Sequence, residues 1–393
     1  MNRLVNSLTA AEYPPSAEIS VTFALDFVEN ASIVREIDAV MESLASWPHG
    51  NVRVRRRTAH AGLRDNILGA WLPESNHSAP ALFLEDDIEL SPLWWVWVQA
   101  SLRRYAQPPS RGLIGISLFT PDDLNEAFTN SDRLDESGKP APSCSWQATH
   151  ARARVPSSSP VGAASAVLFA QPVSWGALYF PHAWRSFLGN AYSLRRMARS
   201  ELPLVPCPKH ESGCNLGRSP SDTARTRVVV NRWGSSSWKR LLAIHMVAHG
   251  LYLAYPNLPR LASFTTNHVE HGVHLRGQVA IQAQRRRHRR TLVNAAWCES
   301  ELMRCNLGAE GGEAAFELPH AEDVRLWDFY CALQPAGAEG VAALERAGES
   351  LREELPPAVE WQEAVRLANE NVLERPLLAE EGSARAEVKR DEL

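Results

Sequence analysis

The segment Ala81–Pro92 reads ALFLEDDIELSP and sets three consecutive carboxylates, Glu85, Asp86 and Asp87, at the C-terminal end of a short apolar strand. Ligand crevices of α/β sheets form at such strand ends. Three adjacent carboxylates repel one another unless a cation or several hydrogen-bond donors compensate them. Clustered oxygen ligands suit a hard cation such as Mg²⁺ or Mn²⁺, which substrate phosphates usually help to bind. An ion held there could neutralise a diphosphate leaving group. The same residues also suit a solvated acidic turn, favoured by the dipole of a helix opening at Ser91-Pro92. The triplet alone does not separate the two readings.

Other residues carry weaker signals. His268-Val269-Glu270-His271-Gly272-Val273-His274 packs three histidines and a carboxylate into one short stretch. On a straight strand His268 and His274 would stand about 20 Å apart. They converge only if Gly272 bends the chain, so a zinc site is not expected. Asp26 ends an apolar run and suits a turn or cap. Trp94, Trp95 and Trp97 share a helical stretch and are expected to pack it. Arg285–Arg290 (RRRHRR) reads as a solvated helix face. Asn30-Ala31-Ser32 and Asn76-His77-Ser78 are glycosylation acceptors if the chain enters the secretory lumen.

The elements that must position these groups alternate. Strands are expected at Glu18–Phe27, Gly50–Arg57, Ala79–Leu84 and Leu113–Leu118. Helices are expected at Ala31–Trp47, Gly62–Trp71 and Pro92–Tyr105, the last with Ser91 as N-cap and Pro92 in its first turn. Ile33, Ile37, Val40, Met41 and Leu44 fall on one face of the first of these helices. Alternation of this kind predicts a parallel α/β sheet. Residues 129–160 and 207–226 read as long polar loops, and beyond about 276 Ala, Glu and Leu predict helices and acidic linkers.

With 393 residues, 45% hydrophobic and 22% charged, the chain can bury a substantial core, which excludes wholesale disorder and a small disulfide scaffold. No stretch reaches the roughly 18 consecutive apolar residues of a membrane span. The first residues also lack the apolar core of a signal peptide. The net charge of -4 divides into a mildly basic body and an acidic tail from about residue 310. A basic body can attract a phosphorylated ligand; no nucleic-acid partner is expected. Of six cysteines none lies in a CxxC. Cys207/Cys214 and Cys298/Cys305 share one spacing and could form local disulfides in an oxidising lumen, but unpaired thiols are the expectation.

Together, these blocks resemble GT-A-fold glycosyltransferases, specifically N-acetylglucosaminyltransferase I-type and family-two-like enzymes. The resemblance is carried by Gly62–Asn66, LEDDIELSP with its Trp-rich helix, Trp175–Pro181 with Ala183-Trp184, Asn231–Arg240, Leu253–Pro256 and Ser263–His274. It implies an α/β fold, a GT-A-like (Rossmann-like) mixed sheet flanked by helices over residues 1–275. A helical, acidic region would follow over 276–393.

The resemblance also implies roles. Asp87 would be the ligand of Mn²⁺ or Mg²⁺, with His271 or His274 completing the shell. Glu85, Asp86, Asp26 and Arg64 would contact a nucleotide-sugar donor. Trp175, Trp184 and Trp233 would offer stacking faces to a glycan or glycoprotein acceptor. The family's late catalytic carboxylate has no counterpart at Gly234–Trp238, which leaves Asp122, Asp123 and Glu270 as candidates for the base.

The first strand of such folds has no counterpart either, Asn2–Leu8 resembling the first helix. This implies either a start upstream of Met1 or a truncated relative. The C-terminal Arg390–Leu393 resembles an ER-retrieval address, which with an upstream start implies the ER or Golgi lumen. A non-catalytic glycan- or nucleotide-sugar-binding relative is the alternative. A metal-dependent phosphotransferase or hydrolase is a third reading, without a phosphate-cradling Gly-rich loop to support it.

Overall fold

The β-branched run Val21–Leu25 forms strand β1, after helix α1 (Asn2–Thr9). It crosses through helix α2 (Ala31–Glu42) to β2 (Val52–Arg57), which lies parallel to β1. Asn30 starts α2: its Oδ1 accepts from the N–H groups of Ser32 and Ile33 at 2.9 and 3.4 Å. Met41 and Leu44 of the expected apolar face are buried, but Ile33 at its N-terminal end is 45% exposed. The face is therefore covered only toward its C-terminal half.

The structure is a computed structural model and describes residues 1–106, 110–120, 166–197, 202–203, 205–206, 227–228, 237–268, 289–300, 318–329 and 333–377. After β2 come α3 (Gly62–Leu68), β3 (Ala81–Phe83), β4 (Ile88–Leu90), α4 (Trp94–Tyr105) and β5 (Leu113–Ser117). Then follow β6 (Ala166–Phe169), β7 (Ala177–Tyr179), α5 (Pro181–Arg195), the short β8 (Val205–Pro206) and β9 (Arg227–Val228), and α6 (Trp238–His249). The chain continues with β10 (Tyr252–Pro256), β11 (Thr265–Asn267), α7 (Ala295–Ser300) and β12 (Leu326–Trp327). It closes with α8 (Gly337–Glu354), α9 (Trp361–Ala368) and β13 (Val372–Pro376).

The fold is mixed α/β. The central sheet has the order β12-β6-β10-β5-β7-β3, and β1-β2-β13 form a separate three-stranded sheet. The sheet is mixed, as the resemblance implies, rather than parallel as the strand–helix alternation alone predicts. β5 and β10 are parallel, as are β6 and β12, whereas β7 runs antiparallel to both β5 and β3, and β6 antiparallel to β10. β5, β6, β7 and β10 are buried along their whole length. A strand covered on both faces reads as a continuous apolar run whichever way it points, so its direction is hidden.

Helix α4 starts later than Ser91-Pro92 predicts. Ser91 Oγ instead accepts from Leu93 N at 3.0 Å and donates to the carbonyl of Val293. Trp94 and Trp97 are core residues, as expected. Arg290 departs from the solvated face expected of the basic run. It is 8% exposed, lies over the Phe119 ring and donates through Nε to Thr120 O at 2.7 Å. Cys298 on α7 is disulfide-bonded rather than a free thiol.

Beyond residue 275 come the expected helices α8 and α9, but also two strands that complete sheets begun earlier, β12 beside β6 and β13 beside β2. Helix α8 packs directly on α6. A Cβ at Gly348 would lie 2.0 Å from Val247 O, so the two helices meet backbone to backbone. Gly250 ends α6 in the left-handed region at φ 64°, returning its N–H to the last turn. Among the described residues, no helix is long and apolar enough to cross a membrane.

The interior between α5 and α6 holds a polar triad. Asn190 Nδ2 donates to His245 Nδ1 at 2.8 Å and to His249 Nε2 at 3.2 Å. His245 therefore keeps its proton on Nε2, which is buried without a partner among the described residues. Burial, and next the neighbouring His249, hold His245 well below its ordinary pKa of 6.5. Burial and then Arg352 lower His249. Both rings are neutral when folded. Stability should be constant above about pH 6.5 and fall as pH drops below it, because the unfolded chain then takes up protons that the folded chain resists. The slope can reach about 1.4 kcal/mol per pH unit for each ring. Thermal melts at about pH 7.5 and about pH 5.5 should differ less in His245→Asn than in wild type; an unchanged difference would refute this assignment.

Candidate functional site

Strand β3 lies at an edge of the central sheet, and the acidic turn connects it to β4. β4 leaves that sheet and pairs antiparallel with β11, matching Thr265 to Leu90, Thr266 to Glu89 and Asn267 to Ile88. This pairing brings a segment far along the chain against the carboxylates. Asn267 Nδ2 donates to Asp87 Oδ1 at 2.9 Å, and His268 N donates to the Asp87 carbonyl at 3.0 Å. His268 Nε2 sits 2.6 Å from Glu89 Oε2. Asp87 is thus fixed by side chain and backbone alike.

Glu85 turns a different way. It is half-buried, and burial raises its pKa to about 7. Lys239 pulls the value down, Asp87 raises it, a hydrogen bond from Ser174 lowers it, and Asp86 raises it again. Lys239, in the first turn of α6, places its Nζ 5.1 Å from the centre of the Trp175 ring. That ring is half-buried and meets Phe119 edge-on at 4.8 Å. Thr265 of β11 donates to the Trp175 carbonyl at 2.6 Å, joining this wall to the β4–β11 ladder. Asp86 remains exposed.

The result is a turn of three carboxylates, backed by an amide and an imidazole on one side and faced by an ammonium over an indole on the other. Among the described residues, no three His, Cys, Asp or Glu side chains come together as a metal cage. A Mg²⁺-type ion shared with substrate phosphates does not need one, since one or two carboxylates suffice. The hard oxygen donors of Asp87 fit that demand.

The other expected residues lie elsewhere. Asp26 holds the start of α3: Oδ1 accepts from Phe27 N and Ala61 N, and Oδ2 from Gly62 N, each at 2.8 Å. His60 Nδ1 stands 3.0 Å from Oδ2. Burial raises its pKa, but these backbone donors and His60 outweigh that and leave it lowered. Four donors match the lone-pair capacity of a carboxylate, so Asp26 acts as a cap. A concavity of about 320 Å³ opens beside it, lined among others by Phe27, Val34, Arg56 and Leu373. Arg64 donates to Asp65 at 3.0 Å, and Asp65 also pairs with Arg195 at 3.2 Å.

Trp184 is 1% exposed, ringed by Phe83, Tyr179 and Phe187, and donates to Trp71 O at 3.1 Å. It builds the core, where a sugar has no open face to stack on. Asp122, Asp123, Trp233, Glu270, His271 and His274 lie outside the described residues.

Ser174 joins the site from outside every segment singled out in the sequence, while Glu89, Lys239, Asn267 and His268 lie in those segments without having been assigned a role there. The pairing of β4 with β11 and the closeness of α6 to the turn bring them in, and both are tertiary facts. No protein-family model matches the chain, and no curated protein matches it.

Proposed function

We propose that the chain is a metal-dependent glycosyltransferase of GT-A-like architecture. It would move a sugar from a nucleotide-sugar donor to a hydroxyl of a glycan or glycoprotein acceptor. The observation that carries this reading is the acidic turn, with Asp87 held from two sides by β11 and Glu85 poised beside Lys239. In this reading Asp87 holds Mn²⁺ or Mg²⁺, with His271 or His274 completing the shell and Glu85 and Asp86 contacting the donor. Once bound, the ion offsets the charge that develops on the departing nucleoside diphosphate. Trp175 offers the acceptor sugar an aromatic face, and Lys239 adds positive charge beside it. Asp122, Asp123 and Glu270 are the candidates for the group that takes the acceptor's proton. The disulfide at Cys298 supports an oxidising compartment, the ER or Golgi lumen.

The second reading is a non-catalytic glycan- or nucleotide-sugar-binding relative. It is favoured by the block Gly234–Trp238, which has no counterpart to the family's late carboxylate.

A panel of nucleotide sugars separates the two. The wild-type chain should bind one donor in Mn²⁺ and release its nucleoside diphosphate, and both signals should vanish in EDTA. Metal-dependent binding without release, even with acceptors present, would select the binding protein. No binding to any donor would refute the transferase and confine the second reading to glycan binding.

A further inference from the structure

The described residues include four exposed large hydrophobic side chains: Phe27, Ile33, Leu333 and Leu373. Phe27 and Ile33 stand three residues before and three after Asn30, and Ile33 lies one helical turn beyond it. Asn30 opens the triplet Asn30-Ala31-Ser32, all three residues exposed. As the N-cap of α2, Asn30 uses only its Oδ1, which accepts from Ser32 N and Ile33 N. Its Nδ2 makes no hydrogen bond to the described residues. The amide can therefore carry a substituent on nitrogen while the oxygen continues to cap the helix.

We propose that Asn30 carries an N-linked glycan, and that this glycan covers the exposed side chains of Phe27 and Ile33. The co-reactant is a lipid-diphosphate-linked oligosaccharide. Asn30 Nδ2 bonds to its anomeric carbon as the bond from that carbon to the diphosphate oxygen breaks. The lipid diphosphate leaves with the electron pair, and Nδ2 gives up one proton. The sequence pattern supplies the acceptor, and the fold tolerates its product. Sugar rings present apolar C–H faces, so a glycan rooted here can shield side chains that the protein leaves in water. Asn76-His77-Ser78 is also exposed at its asparagine, but no exposed large hydrophobic flanks it, and Ser78 Oγ accepts from Ser75 N at 3.0 Å. The inference rests on passage through the secretory lumen, which the disulfide at Cys298 supports. It does not require transferase activity.

The test expresses the full chain in secretory cells, once as it stands and once behind a cleavable signal peptide. Ser32→Ala is the main variant, because it removes the acceptor pattern and keeps the Asn30 cap. Behind the signal peptide, wild type should migrate more slowly by one endoglycosidase-sensitive glycan than Ser32→Ala, and Asn76→Gln should keep that shift. Identical migration of wild type and Ser32→Ala in this arm would overturn the proposal. A shift behind the signal peptide bears out the acceptor, whether or not the chain as it stands is also modified. The unglycosylated Ser32→Ala protein should also bind more of a hydrophobic dye than glycosylated wild type. Adding Phe27→Ser and Ile33→Ser should remove the excess, and equal dye binding from the outset would overturn the covering role.

Discussion

Asp87→Asn should reduce metal-dependent donor hydrolysis on the order of 100-fold or more, with little change in thermal stability. The substitution removes the negative charge but keeps an oxygen that can accept from Asn267 Nδ2, now 2.9 Å from Asp87 Oδ1. The turn should therefore survive while its hold on a divalent ion weakens. Asn267→Ala makes the complementary test. It leaves the charge and removes the side chain that orients it, a change expected to cost about 10–100-fold. Since both act through the same carboxylate, the double variant should fall well short of the summed effects. Full hydrolysis in Asp87→Asn, measured across a Mn²⁺ titration, would remove Asp87 from the metal site.

Gly348→Ala should lower the melting temperature by about 2–4 °C, from a loss of roughly 2–3 kcal/mol. Helix propensity alone predicts the opposite sign, because alanine in a helix interior gains up to about 1 kcal/mol over glycine. The close approach decides it. The new methyl would fall 2.0 Å from Val247 O and 2.8 Å from Ala248 O, both backbone atoms. A Cβ has no rotamer with which to escape, so α8 must shift off α6. That would also strain the hydrogen bond from Arg352 Nε to Ala248 O, 2.9 Å long. Glu349→Ala, one residue on at an exposed position, should stay within about 0.5 kcal/mol of wild type. A rise in melting temperature for Gly348→Ala would show that the helices have room to part.

What the sequence discloses follows range. The β1–α2–β2 unit is legible because its signals are local: a β-branched run, a stretch of helical apolar spacing and a second short strand pattern. Strand ends can be read to within a few residues for the same reason. Ile33 shows the limit. Its spacing assigns it to the buried face, yet its side chain is exposed, and periodicity cannot say how far a covering layer extends.

In the candidate site, Glu85–Asp87 is visible as a run of charge at a strand end. Its surroundings are not, because Asn267 and His268 reach it only through β11 and Lys239 only through α6. Trp175 and Trp184 show the same limit. They look alike in sequence, but one has a face half open and the other is enclosed. Arg290 looked like part of a solvated basic run, and only the packing of Phe119 and Thr120 shows that it is interior.

The pairing of β13 with β2 has a consequence for how the molecule is made. Arg55 is bonded to Glu374 across a separation of 319 residues, and Arg57 Nη1 donates to Glu370 O at 3.1 Å. During translation at roughly 5–20 residues per second, β2 leaves the ribosome on the order of tens of seconds before these partners exist. A strand of alternating valine and arginine therefore waits with one edge unpaired. Its arginines suit that wait, since dense like charge on an open edge repels a second copy of the same strand. β13 then sets Glu374 against Arg55 as it closes the edge, so an early sheet of the nascent chain is completed late.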